Sequence, residues 1–219
     1  MKSNNAHAGI ALDGDADRIV LVDEKGKVVD GDQILGALAN AWLKTDELNG
    51  GGIVTTVMSN LGLEIYLNSK RLKLCRTHVG DRYVLEYMRQ HGFNLGGEQS
   101  GHIILSDYAS TGDGIIAALQ ILSIALTEGK PISDVTCLFE PVPQLLRNIK
   151  VKDASNFDDT ILRSITETAE KQIGKMGRVL IRKSGTEELI RVMVESEDEV
   201  LMLKLVDDIN SKLLECEAN

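Results

Sequence analysis

The sequence predicts an α/β protein in three parts. Residues 1–29 read as the truncated end of one α/β domain. Residues 30–139 read as one complete three-layer α/β domain with a mostly parallel sheet, and residues 140–219 as a C-terminal α+β domain with a small antiparallel sheet. Three observations lead there. From Gly31 to Thr127, apolar runs of strand length alternate with stretches of helical period, the order that parallel strands joined by helices produce. Glu140-Pro141-Val142-Pro143 puts two prolines in three residues, which suits a linker and neither a helix nor a central strand. Beyond it two strand-like stretches follow one another with no helix between them, the mark of an antiparallel pair.

The first part holds a strand at residues 10–12, a polar knot at 13–18, a strand at 19–22, and a hairpin closed by Glu24-Lys25-Gly26-Lys27 that ends at Val28-Val29. A strand this early has little before it to supply neighbours. The segment is therefore expected to be the tail of a domain, its edges covered by other sequence or another chain. The second part opens with a helix N-capped by Asp32, whose Ile34, Leu35, Leu38, Ala39 and Trp42 recur at helical spacing. Then come a strand at 53–57, a helix at 60–69, a strand at 72–76 and a helix at 81–91 with Val84, Leu85 and Met88 inward. A turn containing Gly96, Gly97 and Gly101 leads to a strand at 102–105 and a helix over 112–127, stopped by Gly129-Lys130-Pro131. The third part reads strand 144–151, helix 158–173, strands 178–182 and 189–195, and helix 198–214.

At 219 residues the chain can bury one large core or two small ones. A net charge of -9 argues against nucleic acid or an anionic membrane as the main partner, while leaving room for a local basic pocket. No apolar run reaches the length of a membrane span and the start lacks a signal-peptide core, so a cytoplasmic protein is expected. Cys75, Cys137 and Cys216 have neither metal-ligand nor redox spacing and are expected to be reduced and mostly buried.

Asp13-Gly14-Asp15-Ala16-Asp17-Arg18 puts three carboxylates in six residues. Their repulsion costs roughly several tenths to a few kcal/mol unless a positive group sits among them. At a strand end alternate side chains can converge on one centre, and all-oxygen ligation selects a hard cation, Mg²⁺ ahead of Mn²⁺ or Ca²⁺. The bland alternative is a solvated acidic turn. An EF-hand loop is a sharper rival, with Glu24 at the closing position, but Arg18 replaces its turn glycine and the flanks 19–22 are strand-like. Arg182-Lys183-Ser184-Gly185-Thr186-Glu187, with Arg191 beyond, offers guanidinium forks, hydroxyls and turned backbone N–H groups, the set that a phosphate monoester needs, although a plain hairpin turn explains it equally well. Gly97-Glu98-Gln99-Ser100-Gly101-His102 carries a carboxylate, a hydroxyl and an imidazole that could grip sugar hydroxyls; alone it reads first as a turn. Asp81 in Thr77-His78-Val79-Gly80-Asp81-Arg82, and Met58-Ser59-Asn60, read first as helix caps.

In this order and spacing the stretches resemble the α-D-phosphohexomutase superfamily from about Ala8 to the end. Met58-Ser59-Asn60-Leu61-Gly62, Val79-Gly80-Asp81-Arg82-Tyr83-Val84 and the Ser-Gly-Thr phosphate loop resemble its bacterial branch that interconverts glucosamine 6-phosphate and glucosamine 1-phosphate. The resemblance implies an isomerase, an intramolecular phosphotransferase serving amino-sugar nucleotide and cell-wall precursor synthesis. It implies Mg²⁺ held by Asp13, Asp15 and Asp17, with Arg18 steadying the phosphoryl group. Glu98 and Ser100 would hold sugar hydroxyls with His102 nearby, and Arg182, Ser184, Gly185, Thr186 and Arg191 would hold the phosphate that is not reacting. In that family a phosphoserine donates its phosphoryl group and a bisphosphorylated sugar turns over before the serine is rephosphorylated. No serine here sits in the family's Ser-His-Asn-Pro setting, so the resemblance implies the end of domain two and all of domains three and four, inactive without the N-terminal domains or a partner chain that supplies them. Glu188 departs from the family's usual proline and puts a negative charge beside the presumed phosphate site. A homodimer is a further expectation. The rival readings are a non-catalytic sugar-phosphate binding module, a phosphomannomutase or phosphoglucomutase of the same superfamily, and a calcium-binding structural protein.

Overall fold

Strands β1 (Ala8–Leu12) and β2 (Ile19–Asp23) pair antiparallel, and the two-residue β3 (Val28–Val29) adds to β2, giving the order β1-β2-β3. The polar knot is thus the loop of a β-hairpin. Alternation decides which side is packed: Ile19 and Leu21 are buried, while Val20 between them is exposed. Asp23 closes the second turn by accepting from the backbone N–H groups of Lys25 (2.9 Å) and Lys27 (2.7 Å). These are coordinates of a computed structural model, which describes residues 2–184 and 187–218. The chain divides into two compact units, Met1–Glu140 and Pro141–Asn219.

In the first unit a four-stranded sheet has the order β5-β4-β6-β7, from β4 (Gly52–Thr56), β5 (Lys73–Thr77), β6 (Leu95–Gly97) and β7 (Ile103–Leu105). β4 is parallel to both β5 and β6, and β7 runs antiparallel to β6. Neighbouring side chains of β4 go to opposite faces. Ile53 joins the large core of α1 (Gly31–Thr45), α2 (Leu61–Ser69) and α4 (Gly114–Glu128), whereas Val54 joins Val84 and Met88 of α3 (Asp81–His91). Three layers result. The buried side chains of α1 share the large core with Ile19, Leu21 and Val29 of the hairpin sheet, so α1 lies between two sheets. That explains why ten consecutive residues from the helix start include nine buried ones.

Several local expectations are corrected. Asp30, not Asp32, is the N-cap of α1, accepting from Gln33 N at 3.0 Å; Asp32 is a buried first-turn residue. Gly96 and Gly97 are strand rather than turn, since Gly96 pairs with both Val54 and Ile104 and Gly97 with Ile103, and Gly96 has no room for a side chain, a Cβ there lying 2.6 Å from Met88 Sδ and 2.8 Å from Val54 O. A short helix, α5 (Ile132–Thr136), follows Pro131, too brief for a helical period to show in sequence. Cys137 and Cys216 are exposed and Cys75 half-buried, so the thiols are not mostly buried.

In the second unit the antiparallel order is β8-β10-β9, from β8 (Gln144–Lys150), β9 (Gly177–Lys183) and β10 (Leu189–Ser196). Ile190, Val192 and Val194 of β10 pack against α6 (Asp159–Ile173) and α7 (Glu199–Ala218). The alternate residues of β10, including Arg191 and Glu195, take the other face. Glu195 is fully buried and paired with Arg178 at 2.6 Å, which compensates an otherwise costly charge.

Candidate functional site

The hairpin loop brings one carboxylate oxygen from each of Asp13, Asp15 and Asp17 within 4.8 Å of the others. The turn is made by Ala16 in a left-handed conformation (φ 60°) and by its N–H donating to Asp13 O. Arg18 supplies positive charge: its Nε lies 2.6 Å from Asp13 Oδ2 and 3.5 Å from Asp17 Oδ1. Burial pushes the Asp13 carboxyl up, but the backbone N–H and guanidinium of Arg18 outweigh it and hold the group below its ordinary value. The donor set is three carboxylates and suits a hard divalent cation, so the residues fit the Mg²⁺ that the spacing suggests. The EF-hand alternative fails here. The loop is flanked by strands, and Glu24 is turned to Ser133, accepting from its N–H (3.1 Å) and hydroxyl.

The loop is clamped from two sides. Ile19 N donates to Gly101 O (3.1 Å), and Arg18 and His102 form a backbone bridge. Gly114 N, at the start of α4, donates to Ala16 O (2.9 Å). These approaches need glycine: a Cβ at Gly101 (φ 95°) would sit 2.0 Å from Ile19 O, and one at Gly31 would sit 2.1 Å from Glu98 O. Residues 98–102 form a tight turn, with Gly101 N donating to Glu98 O and Glu98 N to His102 O.

Glu98 and Ser100 line a cavity of about 290 Å³ together with Thr56, Met58, Val79 and Gln99. Glu98 Oε1 accepts from Gly80 N (3.0 Å), and Ser100 Oγ is 3.5 Å from Glu98 Oε2. His102 is 3% exposed; its Nε2 lies 3.5 Å from Asp17 Oδ2 and 3.9 Å from Asp81 Oδ2. The imidazole therefore joins the aspartate loop to the sugar-type loop and to the start of α3. Met58, Val79 and Asp81 are the participants that sequence reasoning left as cap or loop residues. Their signals in the sequence are a place in loops after strands, where ligands gather in such sheets, and membership of the stretches 58–62 and 79–84 that carry the family resemblance.

In the second unit Arg182 and Arg191 are direct cross-strand partners, with Asn148 continuing the row on β8. Burial, and then the like charge of Arg191, hold the Arg182 guanidinium below its usual value. Ser184 N closes the hairpin on Leu189 O at 2.9 Å. Gly185 and Thr186, the remaining candidates for phosphate binding, lie outside the described residues. Glu188 is occupied elsewhere: its Oε2 accepts from Ala154 N at 2.7 Å, so its charge serves a backbone N–H.

The description "Phosphoglucomutase/phosphomannomutase, alpha/beta/alpha domain III" matches residues 30–142, and that of the C-terminal domain of the same proteins matches residues 143–212. The chain belongs to the phosphoglucomutase/phosphomannomutase family. Relatives within it include the phosphoglucosamine mutases of Brucella anthropi, 57% identical over 93% of this chain and 45% of the relative, and of Parvibaculum lavamentivorans, 56% identical over 93% and 46%. The chain thus spans somewhat less than half the length of these relatives. Among solved family structures, a phosphoglucomutase/phosphomannomutase family protein of Burkholderia thailandensis superposes with a TM-score of 0.79 at 21% identity, covering 98% of this chain and 48% of that one. The N-acetylphosphoglucosamine mutase of Aspergillus fumigatus, in complex with GlcNAc-6P and magnesium, gives 0.77 at 21% identity, covering 95% and 48%. At that identity the likeness establishes the family fold, mixed α/β with a mostly parallel sheet and small antiparallel sheets.

Proposed function

We propose that this chain is the part of a phosphoglucosamine mutase that binds the cation, the sugar and the resting phosphate while glucosamine 6-phosphate and glucosamine 1-phosphate interconvert. The observation that carries the reading is the meeting of Asp13, Asp15 and Asp17 with the Glu98–His102 turn through the Asp17–His102 contact. It puts a cation site beside a wall able to grip hydroxyls. The names of the relatives supply the sugar.

In this reading Asp13, Asp15 and Asp17 hold Mg²⁺, which when bound neutralises charge on a transferring phosphoryl group. Arg18, which pairs with Asp13, would steady the phosphoryl oxygens. Glu98, fixed by Gly80 N, accepts from sugar hydroxyls, and Ser100 donates or accepts beside it. His102 keeps Asp17 oriented. Arg182, Ser184 and Arg191, with Gly185 and Thr186, anchor the phosphate that is not reacting.

The nucleophile is the missing element. No serine of this sequence sits in the family's Ser-His-Asn-Pro setting, so we propose that N-terminal domains, or a partner chain that carries them, supply the phosphoserine and that residues 1–219 alone do not turn over. Residues 1–29 would then be the end of the family's second domain, residues 30–139 all of its third and residues 140–219 all of its fourth. The open edges of β1 and β3 are places for the partner or for a second copy of the chain. No helix among the described residues is long and apolar enough to cross a membrane.

A coupled assay for glucosamine 1-phosphate tests this, run on the chain alone and with a polypeptide matching the rest of the relatives. Turnover only in the mixture is expected. Robust turnover by the chain alone overturns the dependence on a partner. Saturable binding of glucosamine 6-phosphate without turnover in either sample favours a binding module, the reading that the missing serine motif supports second.

A further inference from the structure

No ligand-binding role has been given to Asp81 in the segment Thr77-His78-Val79-Gly80-Asp81-Arg82, yet the fold joins this segment to the sugar-type turn. Gly80 N donates to Glu98 Oε1 (3.0 Å), and Val79 lines the 290 Å³ cavity with Glu98 and Ser100. Asp81 is the first residue of α3. Its two oxygens have different surroundings: Oδ1 accepts from Arg82 N at 2.7 Å, as helix-start acids do, while Oδ2 is turned to His102 Nε2 at 3.9 Å.

Of the other carboxylates nearby, Asp15 belongs to the aspartate set and three are engaged. Asp13 and Asp17 face Arg18, and Glu98 is held by a backbone N–H. Among the described residues Asp81 forms no pair with lysine or arginine, and its side chain is 58% exposed. The imidazole that it shares with Asp17 is 3% exposed, and neither of its ring nitrogens has a hydrogen bond. A buried donor without a hydrogen-bond partner, aimed between two carboxylates, marks this as a built polar site and not a solvated helix end.

We propose that Asp81 is a specificity-determining residue whose Oδ2 receives the ammonium group of an amino-hexose phosphate. The proposal rests on the mutase reading above and deepens it by naming the group that separates amino sugars from neutral ones. A protonated amine on a bound sugar gains from a fixed anion, and a hydroxyl at the same position gains far less. Because the carboxylate is half open to water, the discrimination expected is modest, roughly tenfold, the scale of one charge-assisted hydrogen bond.

Calorimetric titration of the whole chain in Mg²⁺ buffer tests this with three probes: glucosamine 6-phosphate, glucose 6-phosphate and N-acetylglucosamine 6-phosphate, which is uncharged at nitrogen. The wild type is expected to prefer the first over both others by roughly tenfold, and Asp81→Asn is expected to bring the ratio to about one. Asparagine keeps the acceptor for Arg82 N, so the helix start should fold; Asp81→Ser is the second variant if it does not. Preference retained in the variant overturns the assignment to Asp81 alone. Equal binding of all three probes by the wild type, or binding that ignores the amine's charge, also overturns it and leaves the family assignment intact. Binding of no sugar phosphate by the wild type overturns this inference and the mutase reading together.

Discussion

Arg182 and Arg191 stand directly opposite one another in the β9–β10 ladder, two guanidiniums sharing one face of a three-stranded sheet. Like charges opposed across strands destabilise a sheet. The pairing makes sense when an anion lies between the two forks, each able to make charge-assisted hydrogen bonds to phosphate.

Phosphate monoesters are therefore expected to raise the melting temperature of the chain by mass action. Arg191→Ala should weaken glucosamine 6-phosphate binding by roughly tenfold or more while changing stability without ligand by less than about 1 kcal/mol. Thermal shift and calorimetry measure both, and unchanged affinity in the variant would remove the phosphate role.

Asp13 Oδ2 is paired with the Arg18 guanidinium at 2.6 Å. Asp15 is exposed and outside the Arg18 pairs, so Asp15→Asn isolates the cation contribution from that of the ion pair. Mn²⁺ affinity read by electron paramagnetic resonance should fall by about tenfold or more. Equal affinity in wild type and variant would show that the three aspartates do not act as a ligand set.

Asp32 carries the pH dependence. Burial raises its carboxyl from 3.8 to about 7, against the opposing hydrogen bonds from Asn60 N (2.7 Å) and Ser59. Between those values the folded protein keeps a proton that the unfolded chain has lost. The contribution of Asp32 to stability is therefore greatest below about pH 4, falls as pH rises toward 7, and levels off above. Asp32→Asn, a neutral isostere, should reduce that slope, with the variant gaining on wild type in urea unfolding at about pH 8 relative to about pH 5. The same slope in both proteins would exclude Asp32 as the titrating group.

Gly101→Ala tests the clamp between the two loops. The added methyl would meet Ile19 O at 2.0 Å in a backbone with φ 95°, a clash with main chain that no rotamer relieves. A loss of about 2 kcal/mol or more is expected, together with weaker Mn²⁺ binding, since the same residue holds the hairpin that carries the aspartates. A variant as stable as wild type would mean that the two loops are not in contact in solution.

Much of this protein is written locally. The helices at Leu61–Ser69 and Asp81–His91, the linker at Pro141 to Pro143 and the aspartate repeat at positions 13, 15 and 17 each follow from neighbours a few residues apart. Period, caps and turn chemistry act over that distance, and they can be read without coordinates. Tertiary contacts decided the rest. Gly96 is a strand residue through its pairing with Val54 and Ile104, at a place where Met88 and Val54 leave no room for a side chain. Asp32 gave up the cap to Asp30 because α1 is packed between two sheets, and Glu188 turned from the phosphate loop to Ala154 N. The contact of His102 with Asp17 and Asp81 joins residues 85 and 21 positions apart. No pattern along the chain encodes such a meeting, because it depends on how the sheet layers stack and not on the chemistry of adjacent residues.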